Sequence, residues 1–550
     1  MKKIFSFFAL GLFLSVALTS CSSKGSEVLN HIPKEAIFVA QLNIKNLMDK
    51  GEYSKIWDME MGKDFLSKLK ENDKSLVEVI KNPEKSGLNV NGIAAMYFAT
   101  NPNNIEEFSG AGIFPIADKT KLLAILNKKD TLKWEKGSGY EYARLQDEVH
   151  LAVSDKILVI WTQKEFKLEA LNAVVTGFNS NSLAKNSAAT KALDAKNDVA
   201  IYLSTDGVAD GLYKTNEIKT GLAGMGFADE NIFKGNQMTM SLNFEKGKAV
   251  SNATYVANPK LGSLVAGLFN DKVKTDFKKY LSKEKSAIAS TFSLNPTGLK
   301  EFFSRGVLAM GTASVFGEIN TNWEEVIATI QGDMAVSLNT ISNQPSFTIL
   351  LKLNKPDLIN KLMAYGVKSG MIAIKDGYWT LGNQAENPSA FSATILDNTL
   401  VFCNSSTLFN QLRSGGIAND QQITSEDYTA ITKDVVGIVS DYSNYMELYN
   451  AFGLYNDNSS TVELAKILNK YTGKSIGTIG RNQSSGITES KDKNKNYLKS
   501  WTEMLNEIYI YDQKNKPEQN SDQISPDQTA PGSNLEELII EEEKAKGTNL

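Results

Sequence analysis

The feature that most limits how this chain can fold is a duplication running through nearly all of it. Gly112-Ile113-Phe114-Pro115-Ile116-Ala117-Asp118-Lys119, followed by Leu122 and Leu126, lines up with Thr348 to Lys355, followed by Leu358 and Leu362, so that Asp118 meets Asn354 at an offset of 236. Gly92-Ile93-Ala94-Ala95 matches Gly332-Asp333-Met334-Ala335 at 240, and Gly139-Tyr140 matches Gly377-Tyr378 at 238. Asp155 to Ile160 matches Asp397 to Phe402 at 242, and Asp198-Val199-Ala200 matches Asp434-Val435-Val436 at 236. Blocks kept in one order at a nearly constant offset describe two tandem copies of one domain. The copies are placed at 33–259 and 260–513, and a chain of 550 residues exceeds what one core organises.

Within each copy, short β-rich runs end in Asn, Asp, Ser or Thr and give way to apolar spacings of three and four. Ile349 to Leu353 reads as a strand, Asn354 as a helix cap, and Leu358, Ile359, Leu362 and Met363 as the buried face of the helix that follows. The same pattern recurs at Asp118, Ser204, Asn295, Ser405 and Asp441. Alternating runs lie between these units, with Asp155-Lys156 and Asp397-Asn398 where tight hairpin turns belong. Helices interspersed with hairpins predict an α+β fold, each copy a mainly antiparallel sheet with helices packed on one face. A hairpin from Met238 to Ala257, turning at Glu245-Lys246-Gly247-Lys248, closes the first copy. The second is expected to depart there, with a helix at 461–471, a Gly/Ser/Lys-rich stretch at 472–496 and a helix near 498–506. The residues after Lys514 have the composition of a disordered acidic tail, 514–550, in which Leu535, Leu538 and Ile539 could form one short amphipathic turn with a partner.

The N-terminus carries an address. Lys2 and Lys3 precede an apolar segment from Ile4 to Leu18, and Leu18-Thr19-Ser20-Cys21 follows. This is the anatomy of a signal peptide, 1–20, rather than of a membrane span. The motif resembles the lipobox of bacterial lipoproteins, which implies that Cys21 becomes the mature N-terminus and receives a diacylglycerol, with 21–32 as a lipidated tether. Two or three acyl chains, at about 0.8 kcal/mol per buried methylene, would hold the protein on a bilayer. Ser22 stands where an aspartate would resemble an inner-membrane retention signal, so the outer membrane is favoured. A single acid among Ser22 to Glu27 favours its periplasmic face over the cell surface.

Losing Lys2 and Lys3 takes the formal charge from −4 to −6, and the 514–550 tail holds four lysines against eight acids. The body is thus nearly neutral and lacks the basic face that phosphate backbones require, so no nucleic-acid partner is expected. With Cys21 lipidated, Cys403 has no cysteine to pair with, and stability must come from packing.

The chain carries only two histidines, His31 and His150. They and Cys403 read as structural, and no metal or other cofactor is expected. Thr472-Gly473-Lys474-Ser475 lacks the first glycine of a phosphate loop, Leu468 standing in its place, and Gly87 to Gly92 continues into Ile93-Ala94. Gly224-Met225-Gly226 has no preceding strand, and Ser67 to Lys70 lies in a lysine-rich helix. Asp130-Thr131-Leu132 resembles a Bacteroidetes O-glycosylation sequon. Tyr140, Tyr142, Tyr378 and Trp379 fall on corresponding strands, where they serve either as sheet packing or as a sugar- or peptide-stacking surface.

The lipobox, the Ile32-Pro33-Lys34-Glu35-Ala36 opening and the duplicated strand-helix pattern together resemble a family of uncharacterised Bacteroidetes lipoproteins with a duplicated domain of unknown function. The resemblance brings no activity with it. The expectation is a non-enzymatic binding or scaffolding lipoprotein that engages a protein or envelope polymer and leaves its oligomeric state open. The alternatives are an envelope glycan or peptide hydrolase using acidic residues, and a surface-exposed nutrient-binding lipoprotein.

Overall fold

The duplication reappears as strand pairing. The computed structural model describes residues 27–515 except 73, 102–103, 128–131, 147, 194–195, 213–215, 225–229, 304–320, 382–389 and 452–459. The signal peptide, Cys21 and 516–550 therefore lie outside the described residues. Copy one supplies β1 (Ala36–Asn43), β2 (Ile93–Asn101), β3 (Asn104–Pro115), β4 (Trp134–Lys136), β5 (Tyr140–Gln146), β6 (Val149–Ser154), β7 (Ile157–Gln163), β8 (Val199–Ser204), β9 (Gln237–Glu245) and β10 (Lys248–Val256). Copy two supplies β11 (Ser286–Ser293), β12 (Ile330–Ile341), β13 (Gln344–Leu353), β14 (Ile372–Lys375), β15 (Tyr378–Leu381), β16 (Phe391–Leu396), β17 (Thr399–Cys403), β18 (Val436–Asp441), β19 (Thr472–Ile479) and β20 (Gln483–Ser490).

All pairings between these strands are antiparallel, and they join them into one sheet. Its spatial order is β4-β5-β6-β7-β3-β2-β1-β8-β9-β10, then β20-β19-β18-β11-β12-β13-β17-β16-β15-β14. The second half is the first half reversed, strand for strand, about the β10–β20 seam. The two-residue turns Lys246-Gly247 and Arg481-Asn482 correspond at an offset of 235, which makes Ser251 the counterpart of Gly486. Those two residues are paired in the seam, so a pseudo-two-fold axis passes between them. The hydrogen bond from Ser490 N–H to Gly247 O and that from Tyr255 N–H to Asn482 O, each 2.8 Å, are related by the same axis.

The α+β class and the mainly antiparallel sheet are as the sequence predicts; the helices differ from expectation, covering both faces of each half. In β7, Ile157, Val159 and Trp161 join one core, which includes Leu171, Val174 and Val175 of the helix Leu168–Thr176. Leu158 and Ile160 join the opposite core, with Ile44 and Met48 of the helix Ile44–Gly51 and Leu122 of the helix Lys119–Leu126. A strand buried on both faces loses the simple alternation that would have announced this. Burying each such aliphatic side chain contributes about 1.5–3 kcal/mol. Copy two repeats the arrangement. Val401 and Cys403 join a core with Leu408, Phe409 and Leu412 of the helix Ser406–Arg413, while Leu400 joins Ile359 and Met363 of the helix Asp357–Lys368.

Two local expectations are corrected. The 472–496 stretch is no departure, since β19 and β20 are the counterparts of β9 and β10; its glycines and serines lie in and beside the seam, where Gly477, Gly486 and Ser251 form one cross-strand row. Asn354 does not cap the following helix, but donates to Ala328 O (3.3 Å) and Ile330 O (2.8 Å), tying that turn to the start of β12. Asp118 and Ser405 do cap, accepting from Lys121 N–H and Leu408 N–H. Asp397 and Asn398 both adopt positive φ, as a tight hairpin turn requires.

The chain divides into two compact units, Met1–Ile508 and Tyr509–Leu550. In the second, the described residues are helical as far as Lys514. No described helix is long and apolar enough to cross a membrane.

Both histidines are structural: His31 lies in the part of the expected tether that packs into copy one, where Val28, Leu29 and Ile32 join the core, and His150 lies in β6. His31 Nδ1 lies 2.9 Å from Val174 O, and His150 stacks on Phe166 with ring centroids 4.2 Å apart. Burial pushes both imidazoles below the ordinary value of 6.5, with Lys156 adding to the effect at His31 and Arg144 at His150. The unfolded chain therefore binds more protons than the folded one below 6.5. Stability is complete above that pH and falls as the pH drops through 6.5 towards the depressed folded values. Urea denaturation should show a midpoint lower at pH 5.5 than at pH 7.5, and His150→Phe, which keeps the stack, should flatten that slope.

Candidate functional site

The pseudo-symmetry breaks at the helices that leave the seam. Each copy ends in a helix that follows its last strand: a linker helix, Pro259–Leu268, after β10, and a C-terminal helix, Tyr497–Lys514, after β20. Their starts are chemically alike. Asn258 Oδ1 accepts from Leu261 N–H at 2.9 Å, and Asn496 Oδ1 accepts from Leu498 N–H at 3.0 Å. The repeat therefore extends through the linker helix, beyond the 259/260 boundary that the sequence suggested.

The C-terminal helix is packed down. Tyr497 stacks on Phe244 with ring centroids 6.5 Å apart, Met504 and Ser500 are buried, and Ser500 Oγ lies 3.2 Å from Ser490 Oγ. Lys499 Nζ reaches Glu52 at 2.6 Å, and Asn506 Oδ1 accepts from Met61 N–H at 3.0 Å. Hydrogen bonds from Lys499 and Lys55 hold the Glu52 carboxyl below the usual carboxylate range.

The linker helix is strapped at both ends and loose in the middle. At its start, Asn258 Nδ2 donates to Ile232 O and Lys234 O, each 2.8 Å, and Asn258 N–H donates to Asn236 Oδ1 at 2.9 Å. At its end, Asn295 N–H donates to Leu268 O at 2.8 Å, and Arg481 donates through Nη2 to Phe269 O at 2.7 Å while Nη1 meets Asp271 at 2.9 Å. Despite carrying Leu261, Leu264, Val265 and Leu268, the helix has no buried residue. Beneath it lies a groove of about 1150 Å³. The sheet contributes Leu203, Met238 and Tyr255, which form one cross-strand row on the face opposite Asn252, Thr254, Gln483 and Ser485. Leu261, Val265 and Ala266 form the roof, and Val436 and Ile479 of copy two form the far wall. Asp271, Asp434 and Arg481 are the charged residues of its lining.

The aspartates that the duplication aligns ahead of β8 and β18 have different surroundings. Asp198 is fully buried, paired with Lys50 at 2.6 Å and accepting from Phe244 N–H at 2.7 Å. Asp434 lies half-buried in the groove wall, with no hydrogen bond or ion pair among the described residues.

The other residues singled out by sequence are accounted for one by one. Tyr140 and Tyr142 are buried in the first core, and a hydrogen bond from Tyr142 Oη to Glu135 at 2.5 Å pushes its phenol up to about 12. Tyr378 is buried against Phe409, centroids 5.0 Å apart, with Arg413 4.8 Å above its ring. Trp379 points to the opposite face and packs partly buried on the second core of copy two. The sequence periodicity is correct, but these rings pack the interior and do not form an exposed stacking surface. Cys403 is likewise interior, its thiol pKa raised by burial, with Thr348 Oγ1 donating to the sulfur at 3.6 Å. Lys474 of the degenerate phosphate loop pairs with Asp427, and Ser67 Oγ donates to Asp64 O at 2.9 Å. Residues 130 and 131 of the sequon lie outside the described residues, as does the 225–226 part of Gly224-Met225-Gly226. The groove was not read from sequence; the signal that could have found it is the apolar stretch Pro259–Leu268 behind Asn258, at the junction of the copies.

The chain belongs to a family defined by a domain of unknown function, DUF4836, whose model matches residues 28–386. No curated protein matches it. Among solved structures it is similar to TP0453 in crystal forms III, I and IV, at 12% identity over 45% of this chain and 88% of that one, with TM-scores of 0.22, 0.22 and 0.23.

The linker helix depends on one close approach. A Cβ on Gly298, in the helix Pro296–Phe303, would lie 1.7 Å from Gly267 O. Gly298→Ala must push the two backbones apart, with an expected loss of about 1–3 kcal/mol. Chemical denaturation, together with faster amide exchange confined to 259–268, checks this.

Proposed function

We propose that this protein is an envelope lipoprotein, held by lipid on Cys21 at the periplasmic face of the outer membrane, that binds an apolar-bodied ligand without transforming it. The observation that carries the binding role is the groove beneath the linker helix, set against the closed packing beneath its counterpart. A helix with Leu261, Val265 and Ala266 held over an open apolar space leaves burial incomplete, and a ligand that fills the space supplies it. Asp271, Asp434 and Arg481, the charged residues of the lining, are the groups that would orient such a ligand. The anchoring role rests on Lys2, Lys3, the apolar 4–18 segment and Leu18-Thr19-Ser20-Cys21.

Cells fed an alkyne analogue of palmitate should label the wild-type protein and recover it with membranes. Cys21→Ser should lose the label and the membrane association, and a labelled Cys21→Ser would refute the anchor. For the groove, the probe is N-phenyl-1-naphthylamine, which fluoresces in apolar sites. Val265→Trp, which fills the space, should weaken its binding roughly tenfold, equivalent to about 1.4 kcal/mol. Unchanged binding would place the probe elsewhere and remove the support for the binding role.

A further inference from the structure

The lining of the groove specifies a ligand class more closely than the binding reading on which this inference rests. The walls are mainly apolar: Leu203, Met238, Leu261, Val265, Val436 and Ile479 surround the space, and Tyr255 and Phe269 are the two aromatic residues among them. Such walls suit flexible hydrocarbon chains, whereas planar rings and sugars call for stacking surfaces and dense hydrogen bonding. At about 1150 Å³, the groove is larger than the roughly 300–1,000 Å³ of sites for drug-sized molecules.

The lining carries charges of both signs close together. Asp434 Oδ1 is 3.2 Å from where a Cβ on Gly480 would lie, and Gly480 is the residue before Arg481. Asp434 thus stands beside the backbone of the residue preceding Arg481, and both residues line the groove. The partner of Arg481, Asp271, has a side chain 79% exposed, and a solvent-exposed pair of this kind binds weakly enough for an anion to share or replace it. Guanidinium geometry suits phosphate oxygens, and Asp434, without a partner, suits an ammonium group.

We infer that the groove takes a diacyl phospholipid with a zwitterionic, amine-bearing head, its chains beneath the linker helix, its phosphate at Arg481 and its ammonium at Asp434. A fatty acid would use Arg481 alone. A phosphatidylglycerol head would keep its phosphate at Arg481 and leave the Asp434 carboxylate facing an uncharged glycerol.

The test titrates the full-length protein in detergent with phosphatidylethanolamine, phosphatidylglycerol and a fatty acid, each carrying the same fluorophore on its acyl chain. Phosphatidylethanolamine should bind about tenfold tighter than phosphatidylglycerol. Asp434→Asn should bring the two within about twofold, and Asp434→Lys should reverse their order, a gain that misfolding cannot imitate. Arg481→Gln should weaken both phospholipids while leaving the fatty-acid chain able to enter. Equal affinity for the two phospholipids in the wild type, or a preference that survives Asp434→Asn, overturns the head-group assignment. If the fatty acid binds and Val265→Trp abolishes it, the apolar groove stands even as that assignment falls. If none of the three binds, both fall.

Discussion

The antiparallel pairing of β10 with β20 is the constraint on which the rest of the structure depends. Each half ends at that strand, and an unpaired edge there would expose a row of backbone donors and acceptors. Pairing edge to edge satisfies them and, because the strands are equivalent, forces a pseudo-two-fold axis between Ser251 and Gly486. Small residues at the axis follow from this geometry. A Cβ at Gly486 would lie 2.7 Å from Ser251 Oγ, so a side chain on that row would contend with its neighbour. Once the seam is set, each copy lies in a continuous sheet, and the helix leaving its last strand is carried back over the sheet.

That carrying back is where the two copies part. Two helices with equivalent starts, capped by Asn258 and Asn496, come down at opposite ends of the central strands. One is pinned by Tyr497, Lys499, Met504 and Asn506. The other, which must also lead the chain into the second copy, is held by its ends and leaves the middle open. Unequal packing of the two equivalent helices thus leaves one half closed and the other open around a groove. The same division runs through the cores. The cross-strand row His150, Trp161, Ala111, Tyr97 in copy one is Ser392, Cys403, Thr348, Ser337 in copy two, so large rings fill one half where small polar residues suffice in the other.

Much of this was legible in the chain. The blocks at Asp118 and Asn354, the hairpin turns at Asp155 and Asp397, and the Met238 to Ala257 hairpin are local patterns, fixed by side-chain period and turn chemistry within a few residues. The 472–496 stretch was not legible, because Gly477, Gly486, Ser475 and Ser485 have weak strand preference of their own and become strands through their neighbours β18 and β10. Tyr140, Tyr142 and Tyr378 were placed on the right strands with their exposure left open, since period two gives a face and not what covers it.

What the sequence by itself determined is the local grammar and its repetition: the α+β class, two copies, mostly antiparallel hairpins, and an N-terminal segment with the pattern of a lipoprotein signal. Only the tertiary structure decided that the two sheets are one, that both faces are covered, and that Asp434, Arg481 and the linker helix meet around a groove. The reason is range. Periodicity, caps and turns act within one or two turns of chain, whereas the groove joins Leu203 to Val436 and Asp271 to Arg481, contacts that exist only after β10 has found β20.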